Sequence, residues 1–221
     1  MGLHKKPKSF VLRQGRITQN QKEALDSLWN KFVIEDISEI NQFLKDKHSV
    51  LDIGFGSGET LLHIAENKRE VSVLGVEVYL SGIGAVLSKA NELGLENIKI
   101  FNNDAEDLLR KNILPSSFDE IIMFYPDPWP KRKHHKRRLI KKDFIKVINN
   151  KLKPGGIFYF KSDWNDYAAE VNSLFKEDSN WISAKEDELD THLRNIPPTS
   201  FEKKALLANR PLHKIIEKKI N

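Results

Sequence analysis

The sequence predicts an α/β fold built on a doubly wound, mostly parallel, Rossmann-like sheet. Three observations carry this expectation. Short apolar runs alternate with stretches of helical length, the pattern of right-handed strand–helix–strand crossovers. A glycine-rich turn, Gly54-Phe55-Gly56-Ser57-Gly58, joins the first apolar run to the helix after it. Acidic residues stand where successive runs end, the edge at which open sheets of this kind bind ligands.

Residues 1–17 read as a basic arm and 18–45 as helices preceding the sheet. Thr18 followed three residues later by Gln21 is a capping-box pattern, predicting a helix through residue 32. A second helix is expected over 35–44. Strands are expected over 49–53, 71–77, 97–102, 118–125 and 157–161. Helices are expected over 59–67, 82–93, 105–111, 139–151 and 166–175. Lys153-Pro154-Gly155-Gly156 should stop the helix before the fifth strand. Apolar residues after position 205 can add one or two strands, as an antiparallel pair. No repeat or low-complexity linker divides the chain, so residues 1–221 are expected to form one domain.

The 221 residues are 39% hydrophobic and 30% charged, the balance of a globular protein able to bury its own core. With no cysteine there is neither a disulfide framework nor a thiolate metal site, which suits a reducing, cytoplasmic address. No apolar run reaches the length of a membrane span, and none follows the basic N-terminus as a secretory signal requires. Neighbouring His134 and His135 diverge on any helix, so no metal is expected there or elsewhere. Net charge is only +5, yet residues 131–142 hold eight Lys or Arg and no acid. Such a run is either a solvated helix face or a surface for a polyanion.

The glycine turn reads GxGxG, with Gly54, Gly56 and Gly58, not the GxGxxG of dinucleotide folds. Asp52 precedes it. A carboxylate there would repel a pyrophosphate but accept hydrogen bonds from an ammonium, so the ligand reads as a nucleoside carrying an amino acid: S-adenosylmethionine. Glu77, at the end of the second strand, can accept both ribose hydroxyls. Asn103 and Asp104, after the third strand, can meet the adenine edge. Each acid alone could equally cap a helix. The fourth strand runs into Tyr125-Pro126-Asp127-Pro128-Trp129-Pro130, whose prolines fix the backbone that presents Asp127 and Trp129. A rigid carboxylate beside an indole suits a purine. Because the basic run follows at once, a phosphate-facing role becomes the better reading of Lys133, His134, His135, Lys136, Arg137 and Arg138, with Arg13 and Arg16 added from the arm. Asp163 follows the fifth strand and reads as a site residue or an N-cap. Thr199-Ser200-Phe201-Glu202 reads as a capping box or a site.

At these residues the chain resembles the bacterial tRNA (guanine-N7-)-methyltransferase family over nearly its whole length. The resemblance rests on SFVLRQGRITQNQ (9–21), LDIGFGSGE (51–59), FYPDPWPKRKHHKRR (124–138) and TSFE (199–202). The third segment is the most specific, and the second is shared by class I methyltransferases in general. The family often has Glu at the position of Asp52 and Phe at that of Tyr125; both differences keep the chemistry. The resemblance implies a fold of the class I methyltransferase type and transfer of a methyl group from S-adenosylmethionine to the guanosine at position forty-six of the tRNA variable loop. It implies cofactor contacts by Asp52, Glu77, Asp104 and Asp127, with Asp127 catalytic. It also implies guanosine contacts by Lys131, Asp163, Thr199, Ser200, Phe201 and Glu202. The partner is tRNA, without membrane or metal, and the enzyme acts as a monomer or homodimer.

Overall fold

A computed structural model of the chain describes residues 9–10, 15–111 and 113–220; most of the basic arm, Arg13 included, lies outside the described residues. Helix α1 (Gln19–Phe32) starts where the capping box predicts. Thr18 Oγ1 accepts from the Gln21 N–H at 3.3 Å, while the Thr18 N–H donates to Gln21 Oε1 at 2.8 Å. Helix α2 (Ile37–Leu44) starts two residues later than expected because Asp36 Oδ1 caps it through the Ser38 N–H.

Alternation then follows in order: β1 (Ser49–Ile53), α3 (Glu59–Asn67), β2 (Ser72–Val76), α4 (Leu80–Glu92), β3 (Ile98–Phe101), α5 (Ala105–Lys111) and β4 (Phe118–Phe124). The second half holds α6 (Lys142–Lys151), β5 (Leu152–Ser162), α7 (Asn165–Lys176), β6 (Trp181–Ser183), α8 (Thr191–Arg194), α9 (Ser200–Leu207) and β7 (His213–Lys219). The strand order is β3-β2-β1-β4-β5-β7-β6. The first five strands in chain order run parallel, and β7 is antiparallel to both its neighbours. The doubly wound, mostly parallel expectation therefore holds. Strand order reverses between β1 and β4, so the chain leaves their carboxyl ends in opposite directions and a crevice opens there.

Period-two side-chain alternation divides the core between the two faces of the sheet. Leu51, Ile121, Met123, Phe158 and Phe160 pack on one face; Val50, Ile122, Phe124 and Tyr159 pack on the other. Both faces are covered by helices, which is why the strands read as nearly continuous apolar runs.

Several boundaries shift by a few residues, two of them with a visible cause, and the tail supplies one of the one or two strands expected. The α6 helix begins at Lys142 and not at residue 139, because Lys141 is extended (φ −144°, ψ 167°) and the Ile140 N–H donates to Tyr167 Oη at 3.2 Å. Strand β5 begins at Leu152, ahead of the Pro-Gly-Gly segment. The pairing register shifts between Phe118 and Glu120, so these residues form an irregularity inside the strand instead of a loop before it. Of the two added strands, only β7 comes from the tail; β6 comes from Trp181–Ser183.

Candidate active site

The glycine turn is held by Glu77. Its Oε2 accepts from the Gly56 N–H at 2.9 Å, and its Oε1 accepts from the N–H groups of Val78 (2.6 Å) and Tyr79 (3.1 Å). One carboxylate thus ties the end of β2 to the loop after β1. Burial pushes the Glu77 carboxyl above its ordinary value, and the three N–H donors pull against that. Close backbone approach explains the last glycine of the turn: at Gly58, with φ of 81°, a Cβ would stand 2.1 Å from Val86 Cγ2.

Asp52 lies at the end of β1 and is 2% exposed. Its Oδ2 is buried without a hydrogen-bond partner. Burial, and then the charges of Glu77 and Glu59, push its carboxyl up to about 8. A buried carboxylate beside two others is costly unless a cation joins them.

A cleft of about 180 Å³ opens over these residues, walled by Gly54, Gly56, Glu77, Asn103, Asp104 and Asp127, with Ser9 and Phe10 of the arm at its rim. Asp52 reaches an adjoining recess that shares Gly54, Gly56, Phe124, Tyr125 and Phe201 with the cleft. Asp52, Glu77 and Asp127 therefore converge. Asp104 Oδ1 caps α5 through the Glu106 N–H at 2.8 Å, and Asn103 Oδ1 accepts from the Asp104 N–H at 2.8 Å. Partial desolvation raises the Asp127 carboxyl.

On the other side of Asp127 lies a polar group that sequence reasoning missed. Tyr125 sits in the left-handed region with φ of 52°, its N–H donating to the Lys161 carbonyl at 2.8 Å. Such a conformation costs about 1–3 kcal/mol in a non-glycine residue and persists only when its surroundings enforce it. Lys161 is buried at the end of β5, its Nζ 3.4 Å from Glu202 Oε2 and 4.6 Å from the Phe124 ring centroid. Burial pulls the Lys161 ammonium below its ordinary value, and burial followed by the Glu202 charge raises the Tyr125 hydroxyl. A lysine closing the apolar run of 157–160 was the available signal.

Thr199 caps α9, with Oγ1 accepting from the Glu202 N–H at 3.2 Å, but Glu202 turns to Lys161 instead of closing a reciprocal box. The Ser200 N–H donates to Glu59 Oε1 at 3.2 Å, which docks α9 on the start of α3. Phe201 is 53% exposed and its ring lies over Gly56. Asp163 forms an ion pair with Arg210, a partner with no local sequence signal. Lys131 is exposed at the start of the basic segment.

One expectation is overturned, and a second residue lies elsewhere than its sequence position suggests. Arg138 does not face solvent: it is 1% exposed, its Nε donates to the Pro128 carbonyl at 2.9 Å, and its fork pairs with Asp166 (2.6 Å) and Glu170. It clamps the proline loop to α7, so phosphate contact is not its role. Trp129 is not among the residues that line the cleft. Its Nε1 donates to the Ser9 carbonyl at 2.9 Å, and Arg137 covers its ring at 4.7 Å. The remaining basic residues form a 3-10 turn, Arg132–Arg137. Lys131, Arg132, Lys133 and Lys136 are exposed, as is Arg16, while His134, His135 and Arg137 are half-buried.

Residues 46–215 match a family described as a putative methyltransferase. The tRNA (guanine-N(7)-)-methyltransferase of Nitrosococcus oceani is 38% identical over 198 residues, 88% of this chain and 83% of that protein. The chain belongs to the tRNA (guanine-N(7)-)-methyltransferase family. Another member, from Shewanella woodyi, is 40% identical over 173 residues, 76% of this chain and 72% of its own length. Among solved structures, the 16S rRNA methyltransferase KamB aligns with a TM-score of 0.59 at 18% identity, covering 83% of this chain and 94% of that one. A 16S rRNA (adenine(1408)-N(1))-methyltransferase from Catenulisporales acidiphilia, solved with its cosubstrate SAM, aligns at 0.54 and 13%, covering 85% and 93%. At these identities the likeness is one of fold: this family member has the class I methyltransferase architecture.

Proposed function

We propose that this methyltransferase moves the methyl group of S-adenosylmethionine to N7 of guanosine forty-six in the tRNA variable loop. The observation that carries the reading is the unpartnered, buried Oδ2 of Asp52 beside the glycine turn. An ammonium is the partner that this carboxylate lacks, and the turn leaves room for it without Cβ atoms. Asp52 would hold that ammonium, the unspent lone pair of Glu77 a ribose hydroxyl, and Asn103 and Asp104 the adenine end. When bound, S-adenosylmethionine supplies an electrophilic methyl group on a cationic sulfur.

Guanine N7 carries an in-plane lone pair and no proton, so no residue here needs to act as a base. Positioning is the main task, worth about 7–11 kcal/mol when the geometry is right. Asp127, at the mouth of the cleft, would accept from the N1 and N2 donors of guanine and offset the positive charge that the ring gains. Adenine presents an acceptor at N1 and is rejected. Lys161 would hold Glu202, and Arg210 Asp163, beside the same base, with Thr199 and Ser200 setting the pitch of α9. Phe201, which lines the cleft, would offer a stacking face. Lys131, Lys133, His134, His135, Lys136, Arg137 and Arg16 would meet phosphates, which offsets the few kcal/mol needed to extract the base.

Such an enzyme works in the cytoplasm as one domain per chain, as monomer or homodimer. The test is incubation with methyl-labelled cofactor and unmodified tRNA, followed by nucleoside mapping. Label in N7-methylguanosine at position forty-six supports the reading; label in N6-methyladenosine, or none, overturns it.

A further inference from the structure

At the amino-terminal edge of the sheet, opposite the cleft, four residues from three distant segments converge. His48 precedes β1, Glu120 lies in β4, and Asp190 and His192 bracket the start of α8. Each offers a nitrogen or oxygen, and these donor atoms all lie within 4.8 Å of one another. We infer that His48, Glu120, Asp190 and His192 form a site for a divalent, zinc-type cation that staples α8 to the sheet.

The argument starts from Glu120. It is 4% exposed, and its carboxylate meets two imidazoles: His48 Nε2 lies 3.1 Å from Oε1 and His192 Nε2 lies 2.9 Å from Oε2. A buried carboxylate and two imidazoles, with Asp190 beside them, offer a divalent ion both charge and donor atoms. His192 is itself 3% exposed and keeps a buried Nδ1 without a partner, so its polar groups are not satisfied by protein alone. Asp190 occupies the N-cap position of α8, yet its side chain makes no capping hydrogen bond. The donor set is two imidazoles and two carboxylates, which suits Zn²⁺ and its neighbours better than Mg²⁺ or Ca²⁺. Around tetrahedral zinc, with donors about 2.0–2.2 Å from the metal, ligand atoms stand roughly 3.3 Å apart. The two imidazole Nε2 atoms lie 3.1 and 2.9 Å from separate oxygens of Glu120, a few tenths of an ångström inside that spacing. His48 and Asp190 are exposed and free to close the remainder. The cavity of about 240 Å³ beside them gives an ion its entry path.

The role is structural. Residue 192 is seven positions before Thr199, with Pro197 and Pro198 between, so an ion here fixes the connection that carries α9. No local spacing announces the site, because its donors are spread from position 48 to position 192.

The test uses the full chain, stripped with a chelator and titrated with Zn²⁺ by calorimetry, with Co²⁺ as a spectroscopic probe. One ion per chain, a higher thermal midpoint with Zn²⁺ and a visible Co²⁺ band are expected. Asp190→Asn and His48→Ala, both at exposed positions, should fold and bind at least about tenfold more weakly, following the 10–100-fold range for altered metal sites. His134→Ala with His135→Ala should bind as the parent does. Failure to bind one Zn²⁺ overturns the inference, as does binding unchanged by the Asp190 and His48 substitutions or abolished only with His134 and His135. A thermal midpoint that rises on acidification but not with Zn²⁺ identifies a protonated imidazole pair and likewise overturns it.

Discussion

Lys161 Nζ stands 3.4 Å from Glu202 Oε2, and this buried pair joins the carboxyl end of β5 to α9. Burial, and then the charge of the same carboxylate, raise the hydroxyl of Tyr125, which precedes the proline loop. Strand five and α9 are thereby held together by one buried ion pair.

Removing one partner of that pair should therefore cost more than removing both. Lys161→Met leaves Glu202 buried without its cation and is expected to lose about 3 kcal/mol. Lys161→Met with Glu202→Leu should recover much of this, while guanosine methylation stays impaired. Urea unfolding followed by circular dichroism, together with a methyl-transfer assay, separates the two effects. If the double variant is no more stable than the single, the pair is not the determinant.

Asp127→Ala should lower turnover by about 10²–10³-fold, the usual loss when one group that stabilises developing charge is removed. Its exposure at the cleft mouth means stability and tRNA affinity change little. Single-turnover kinetics at saturating tRNA check this.

Arg138 and its basic neighbours should respond oppositely to truncation. Arg138→Ala removes a buried side chain and its charge-assisted hydrogen bonds, for an expected loss of about 2–4 kcal/mol in stability. Lys133→Ala with Lys136→Ala should leave the melting temperature within a degree or two. It should instead weaken tRNA binding and shrink its salt slope by roughly 0.9 for each phosphate that is no longer neutralised. Filter binding across a salt series, beside thermal melts, distinguishes them.

Asp52 fixes a pH dependence. Its folded carboxyl is raised to about 8 by burial and by Glu77 and Glu59, above the ordinary 3.8. A group that holds its proton more tightly when folded favours the folded state at low pH. That contribution falls as pH rises from about 4 to about 8 and is then level. Asp52→Asn should erase it, so the variant should gain most over the parent near pH 8 while losing cofactor affinity. Melting temperatures of the two proteins at pH 6 and pH 8 give the comparison, and a constant difference between them would exclude the effect.

Local signals were readable in the sequence. The Thr18–Gln21 box, the bounds of β1, α3 and α5, and the acids beside the glycine turn depend on neighbours a few residues apart. What could not be read depends on distant partners. Arg138 looks like any member of a basic run until α7 brings Asp166 and Glu170 to it. Trp129 reads as part of the cleft wall until the Ser9 carbonyl and Arg137 gather around it. Thr199–Glu202 fits a capping box by spacing, and only the position of Lys161 shows that Glu202 faces inward.

The place of β7 bears on how the polypeptide is made. This strand lies between β5 and β6, yet residues 213–219 follow residue 162 by some fifty positions. As the chain is synthesised, β5 must wait with an unpaired edge until β7 is released to cover it. Over that interval the nascent sheet offers the open hydrogen-bonding margin through which half-built chains aggregate.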